Sequence, residues 1–250
     1  MLNCLKADLI RVQKKKAYII CLSILIVLMI GMTILAASKL IKGEVSDLYR
    51  VFMSAIFTFN SLLIGIPIFS AVLTDDFKSR SLQTAIGRGM SRSKLVFTRF
   101  FEFVIVLAES YLLISVLVFV YGLIIGVKGS VLTDIINNLW IDSISIIGFF
   151  AVSMIFVYMK QTGTVGLVVY IILALNAFEL ILTGISQISV FKKNDINLVD
   201  FTIEGMKESI KDADKSVSAR IMWGFALVIF FIVIPLMITR QIFRKKELEF

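Results

Sequence analysis

Ala17 to Ala37 contains no charged residue, and this stretch decides the solvent in which the chain can fold. A helix that crosses the hydrocarbon core of a bilayer needs about 20 consecutive apolar residues. Further apolar blocks occur at 51–73, 97–126, 139–159, 164–185 and 221–239. Composition agrees, with 58% of residues hydrophobic where a soluble domain averages about 45–50% apolar. The mean hydropathy is +0.94. These blocks predict an all-α integral membrane protein of six transmembrane helices, forming one transmembrane domain over 1–250. Pro67 and Pro235 fall inside two of the blocks and predict kinks there.

The polar intervals orient the predicted helices. Leu2, Leu5, Leu9 and Val12 recur at spacings of three and four, with Lys6, Arg11, Lys14, Lys15 and Lys16 at other positions. Residues 1–16 therefore predict a basic amphipathic helix lying in the cytoplasmic headgroup region. Six crossings place both termini on one side. Basic residues concentrate in 1–16, in 74–94 and in the tail 240–250, which puts that side in the cytoplasm. The net charge of +8 therefore reads as topology, because the basic runs flank apolar blocks; nucleic acid is not the expected partner. Residues 38–50 and 127–138 predict outer loops, and 186–219 a longer extracellular segment. Within that segment Ile203, Met206, Ile210, Ala213 and Val217 form an apolar stripe opposite Glu204, Lys207, Glu208, Lys211 and Asp212. It predicts an amphipathic helix resting on the outer ends of the bundle, as a packed surface helix or a cap for substrate release.

Thr74 to Lys94 is the longest polar interval between the first and fifth apolar blocks. It carries Lys78, Arg80, Arg88, Arg92 and Lys94 but is too short to be a domain. Ser81 to Ile86 make about one and a half to two helical turns, and Gly87 and Gly89 are expected to end them. A short helix between two membrane segments is placed to press on a soluble partner and pass movement into the bilayer.

Several chemistries are missing. No GxxxxGK[ST] phosphate loop is present, so any nucleotide hydrolysis belongs to another chain. The chain has no histidine, no HExxH and no GxSxG, and its cysteines, Cys4 and Cys21, imply no disulfide framework. It is not expected to be an enzyme by itself. The acids within membrane blocks are Glu102, Glu109, Asp142 and Glu179. Carboxylates at that depth are costly and mark a functional interior by default. Glu102, near the cytoplasmic end, is expected to reach the headgroups or Arg99. Glu109 is deeper. With Tyr170, Asn176 and Glu179 it forms either a polar pathway or a set of hydrogen-bonded helix contacts.

Around 75–94 the chain resembles the transmembrane subunits of ABC-2 type (type V) ABC exporters. The residues that carry the resemblance are Asp76, then Arg80-Ser81-Leu82-Gln83-Thr84-Ala85-Ile86, the Gly87-Arg88-Gly89 break, Ser91-Arg92 and Lys94. The six-helix layout and basic amphipathic N-terminus extend the similarity over the whole chain; the polar last outer loop departs from the apolar re-entrant hairpins of the family. In size and composition the chain is most similar to small bacterial permeases that export amphipathic peptides such as lantibiotics or cytolytic modulins, or confer immunity to them. The resemblance implies a multi-pass protein of the bacterial cytoplasmic membrane with a coupling helix over 79–87. Arg80, Ser81, Leu82, Gln83, Thr84, Ile86, Arg88 and Arg92 would meet an ABC ATPase subunit, present in two copies and holding ATP and Mg. A second copy of this permease or a paralogue would complete the membrane part, in contact with lipid and an amphipathic peptide substrate. Two other readings of the residues are a proton-coupled secondary transporter using Glu109 and a subunit of a membrane complex without transport. The lack of an inverted repeat weighs against the first of these.

Overall fold

The computed structural model describes residues 2–38, 44–78, 81–87, 89–186, 198–212 and 215–246, and among them there is no strand. Helix α1 (Leu2–Gln13) leads into α2 (Lys16–Ala37). Helix α3 (Val45–Thr58) bends by 41° into a segment that begins at Ser61 and holds the short helices α4 (Ile66–Phe69) and α5 (Asp75–Lys78). Helix α6 (Ser81–Gly87) precedes two long helices, α7 (Arg92–Ile124) and α8 (Gly129–Lys160). Helices α9 (Gly163–Ala174) and α10 (Ala177–Ser186) meet at 53°. They are followed by α11 (Ile203–Lys211), α12 (Val217–Val228) and α13 (Ile234–Lys245).

Among the described residues, four helices are long and apolar enough to cross a membrane: α2, α7, α8 and the run Val217–Lys245. The number rises to six if each bent pair counts as one span. Helix α2 turns Ile20, Val27 and Ile34 outward, α7 turns out Val116 and Ile124, and α12 turns out Ile221 and Phe225. Outer surfaces this apolar call for lipid around them.

Two elements differ from the sequence expectation. The region 127–138, expected as a loop, is mostly the first turns of α8. Leu132, Ile135 and Leu139 share a helix face and are all buried, and their burial outweighs the weak helix propensity of Thr133, Asn137 and Asn138. The bend between α3 and the segment that follows lies near Phe59 and Asn60 rather than at Pro67. Each proline instead opens an α-helical segment just after a five-residue π-turn, Ser61–Gly65 before Pro67 and Ile229–Val233 before Pro235. A proline ring clashes with the carbonyl four residues earlier. Those carbonyls, of Leu63 and Phe231, lie inside the wider π-turns, which relieves the crowding within the helix.

The chain divides into two compact units, Met1–Ala71 with Glu102–Ser143 and Val72–Phe101 with Ile144–Phe250. Sequence alone reads as one domain because α7 and α8 are each unbroken while contributing to both. In the first unit, α1 lies along α7. Arg11 faces the fully buried Glu102 at 3.7 Å, and Gln13 donates to Glu109 at 2.6 Å. The hydroxyls of Tyr18 and Ser110 are bonded at 2.8 Å, and Tyr49 donates to the Val118 carbonyl at 2.9 Å. Glu102 thus meets Arg11, a cation of the N-terminal helix that its position in the sequence does not single out. Beyond the helix ends, Lys128 donates to Glu44 at 3.0 Å, and that carboxylate raises the lysine above its ordinary pKa.

In the second unit, the Thr202 hydroxyl accepts from Gly205 N at 3.0 Å and caps α11. Ile203 and Met206 are buried, as the apolar stripe predicts. Glu204 pairs with Lys207, and Glu208 lies 3.8 Å from both Lys207 and Lys211. The helix ends at Lys211, short of the predicted extent; Ala213 lies outside the described residues, and Val217 is exposed at the start of α12.

Candidate functional site

The site is built around α6, within the second unit. Its backbone is helical from Ser81 to Gly87. Gly89 takes φ +88°, its N–H bonds the Ile86 carbonyl at 2.9 Å, and Met90 N–H bonds the Ala85 carbonyl at 3.1 Å. This pair of bonds is a Schellman termination, with glycine at the left-handed position. Of the two glycines expected to end the helix, Gly89 makes the turn and Gly87 is its last helical residue. Ser91 then caps α7, its Oγ accepting from Lys94 N at 3.4 Å and its carbonyl from Leu95 N at 3.1 Å. Leu82 is buried, Ile86 is half-buried, and Thr84 and Gly87 are exposed. Arg80 and Arg88 lie outside the described residues, as do the side chains of Ser81 and Gln83.

Three contacts hold the elbow that leads into α6. Gly163, the first residue of α9, lies against the Thr74 backbone so closely that a Cβ there would sit 2.4 Å from Thr74 Cα. Asp76 and Arg99 form an ion pair at 2.5 Å, with side chains 0% and 8% exposed. The Phe77 ring meets Tyr158 edge-on at 5.6 Å, and Tyr158 meets Phe243 at 4.7 Å.

Arg92 is engaged within the chain. Its Nη1 donates to the carbonyls of Phe243 at 3.3 Å, Arg244 at 3.5 Å and Lys246 at 2.5 Å, and its guanidinium lies 5.8 Å from the Phe243 ring centroid. A cation at the last carbonyls of a helix satisfies orphan acceptors and the negative end of the dipole. Arg240 adds a bond to Ser93 Oγ at 3.3 Å, and Lys246 donates to the Met159 carbonyl. Helix α13 is thereby tied to the start of α7 and the end of α8. Arg92→Ala is expected to speed amide exchange over 243–246 about fivefold, an opening cost lower by ~1 kcal/mol. Hydrogen-exchange mass spectrometry reads it; unchanged protection would show that the arginine does not secure the helix end.

Of the four polar residues expected along an interior, Tyr170, Asn176 and Glu179 belong to the second unit. Glu109 belongs to the first unit and is exposed, with Gln13 as its donor. Tyr170 is fully buried, edge-on to Phe149 at 6.3 Å. Asn176 takes φ +55° at the α9–α10 break, a conformation that asparagine tolerates better than most residues. Glu179 accepts from the Thr202 hydroxyl at 2.6 Å, which joins α10 to the cap of α11. The residues that sequence reasoning missed are Arg99, Gly163, Phe243 and Thr202, each made important by a distant partner. Among the described residues no three histidine, cysteine, aspartate or glutamate side chains gather as metal ligands would. No protein-family model and no curated protein matches the chain.

Proposed function

We propose that this chain is the membrane subunit of an ATP-driven exporter of amphipathic peptides, powered by a separate ATPase. In this reading it has six spans, with both bent pairs counted as crossings, and both termini in the cytoplasm. Helix α6 is the coupling helix, seated on one of two ATPase subunits that hold ATP and Mg. A second permease copy or a paralogue completes the membrane part.

The observation that carries the reading is the construction of α6. A short helix with an exposed Thr84 is closed by the Gly89 turn and followed at once by the capped start of a 33-residue helix. Motion imposed on α6 has few residues in which to dissipate before it reaches α7. The chain supplies no phosphate loop, so the motor has to be another protein.

The test is purification of the tagged chain from its native membranes, with ATPase activity measured on what accompanies it. A P-loop ATPase is expected in the complex. Ile86→Asp places a charge on the half-exposed side of α6 and is expected to lower the complex's ATPase activity at least about tenfold, a loss of ~1.4 kcal/mol in the coupled step. Leu82 is the wrong probe because its side chain is buried. A folded, inserted chain that brings down no ATPase would overturn the reading.

A further inference from the structure

We propose that a cavity of about 560 Å³ in the second unit binds a cationic amphiphile, with its apolar body inside and its positive head at Glu179. Ligand pockets span roughly 300–1,000 Å³, so the space suits a small molecule or one short chain. The cavity lies beside the α9–α10 break. Its walls include Phe149 and Phe156 from α8, Phe178 from α10 and Phe201 from the turn before α11. The 53° bend at Asn176 separates two helices that would otherwise continue as one rod, and the cavity borders both of them.

The few polar side chains on the wall are Asn176, Glu179, Thr202 and Glu204. Glu204 is already paired with Lys207. Glu179 is positioned by the Thr202 hydroxyl at 2.6 Å, and among the described residues no lysine or arginine pairs with it. It also lines an adjoining open hollow of about 760 Å³ that runs over α11. The carboxyl group therefore stands where an apolar cavity meets a polar opening. A ligand with an apolar body and an ammonium or guanidinium head matches both environments at once. The hollow's lysines, Lys207, Lys211 and Lys215, lie against Glu204, Glu208 and Asp212, so an anionic amphiphile meets the Glu179 carboxylate at the mouth, and a neutral one gains only from burial of its body. The site belongs to this chain alone and does not depend on the transport reading or on an ATPase.

The experiment uses the full chain in phosphatidylcholine nanodiscs. It is irradiated with a long-chain alkylamine bearing a diazirine and, separately, with the neutral alcohol of the same chain; labelled residues are located by mass spectrometry. The amine is expected to concentrate on 149–156 and 178–182. Glu179→Gln is expected to lower that labelling about tenfold while leaving the alcohol's unchanged, the size of one charge-assisted contact. Val169→Trp, on the cavity wall, is expected to fill the space and reduce labelling by both probes, which decides the matter even if Glu179→Gln fails to fold. Amine labelling spread like the alcohol's over the outward faces of α2 and α12, or unmoved by either variant, would overturn the proposal.

Discussion

Arg99→Met is expected to destabilise the protein by about 3–5 kcal/mol, because it leaves the Asp76 carboxyl buried without the guanidinium that pairs with it. The pair sits at 2.5 Å, with 0% of the Asp76 side chain and 8% of the Arg99 side chain exposed, so water cannot replace the lost partner. Replacing both partners is a different experiment. Asp76→Leu with Arg99→Met removes two desolvated charges together and is expected to recover most of the loss, since buried ion pairs are often matched by apolar pairs of similar volume. Equilibrium unfolding in mixed detergent–dodecyl sulfate micelles measures both. A single-variant loss below about 1 kcal/mol, as at an exposed pair, would mean that the ion pair is solvated in the protein. The pair joins α5, before α6, to the root of α7 after it.

Much of this elbow could be read in the sequence, and the reasons are local. Apolar continuity over 17–37 predicts α2 to within one residue at its start. The polar run after Thr74 predicts a short helix, and a glycine pair predicts its stop. The identity of the turning glycine is harder, because Gly87 and Gly89 differ only in which lands at the left-handed position. What could not be read comes from residues far apart in the chain. Asp76 and Glu102 each carry an obvious charge, but their cations, Arg99 and Arg11, are chosen by packing. Arg92 sits in a motif that reads as a partner contact, yet its donors reach carbonyls of α13, about 150 positions away. Backbone acceptors leave no trace in a sequence. The break between α9 and α10 lies between these cases: Asn176 inside an apolar block was visible as a polar residue, but its left-handed backbone was not.

Gly163→Ala is expected to cost about 1–3 kcal/mol, and Gly163→Val more. The added Cβ would lie 2.4 Å from Thr74 Cα and 3.0 Å from both Thr74 Cβ and Oγ1. The nearest obstacle is backbone, so no rotamer change relieves it; α9 or the Thr74 segment has to move, in an interior packed like a crystal. Thr164→Ala, at the exposed neighbouring position, is the control and is expected to stay within about 0.5 kcal/mol. The movement has a second consequence, because Thr74 lies two residues before Asp76. A shift that accommodates the methyl group displaces Asp76 from Arg99, so Gly163→Ala and Arg99→Met act partly on the same contact. Their combination is expected to lose less than the sum of the single effects, by about 0.5–3 kcal/mol, the usual range for residues that share a partner. Additivity within about 0.3–0.5 kcal/mol would instead show two independent supports, with the close approach at Gly163 contributing nothing to the ion pair beside α6.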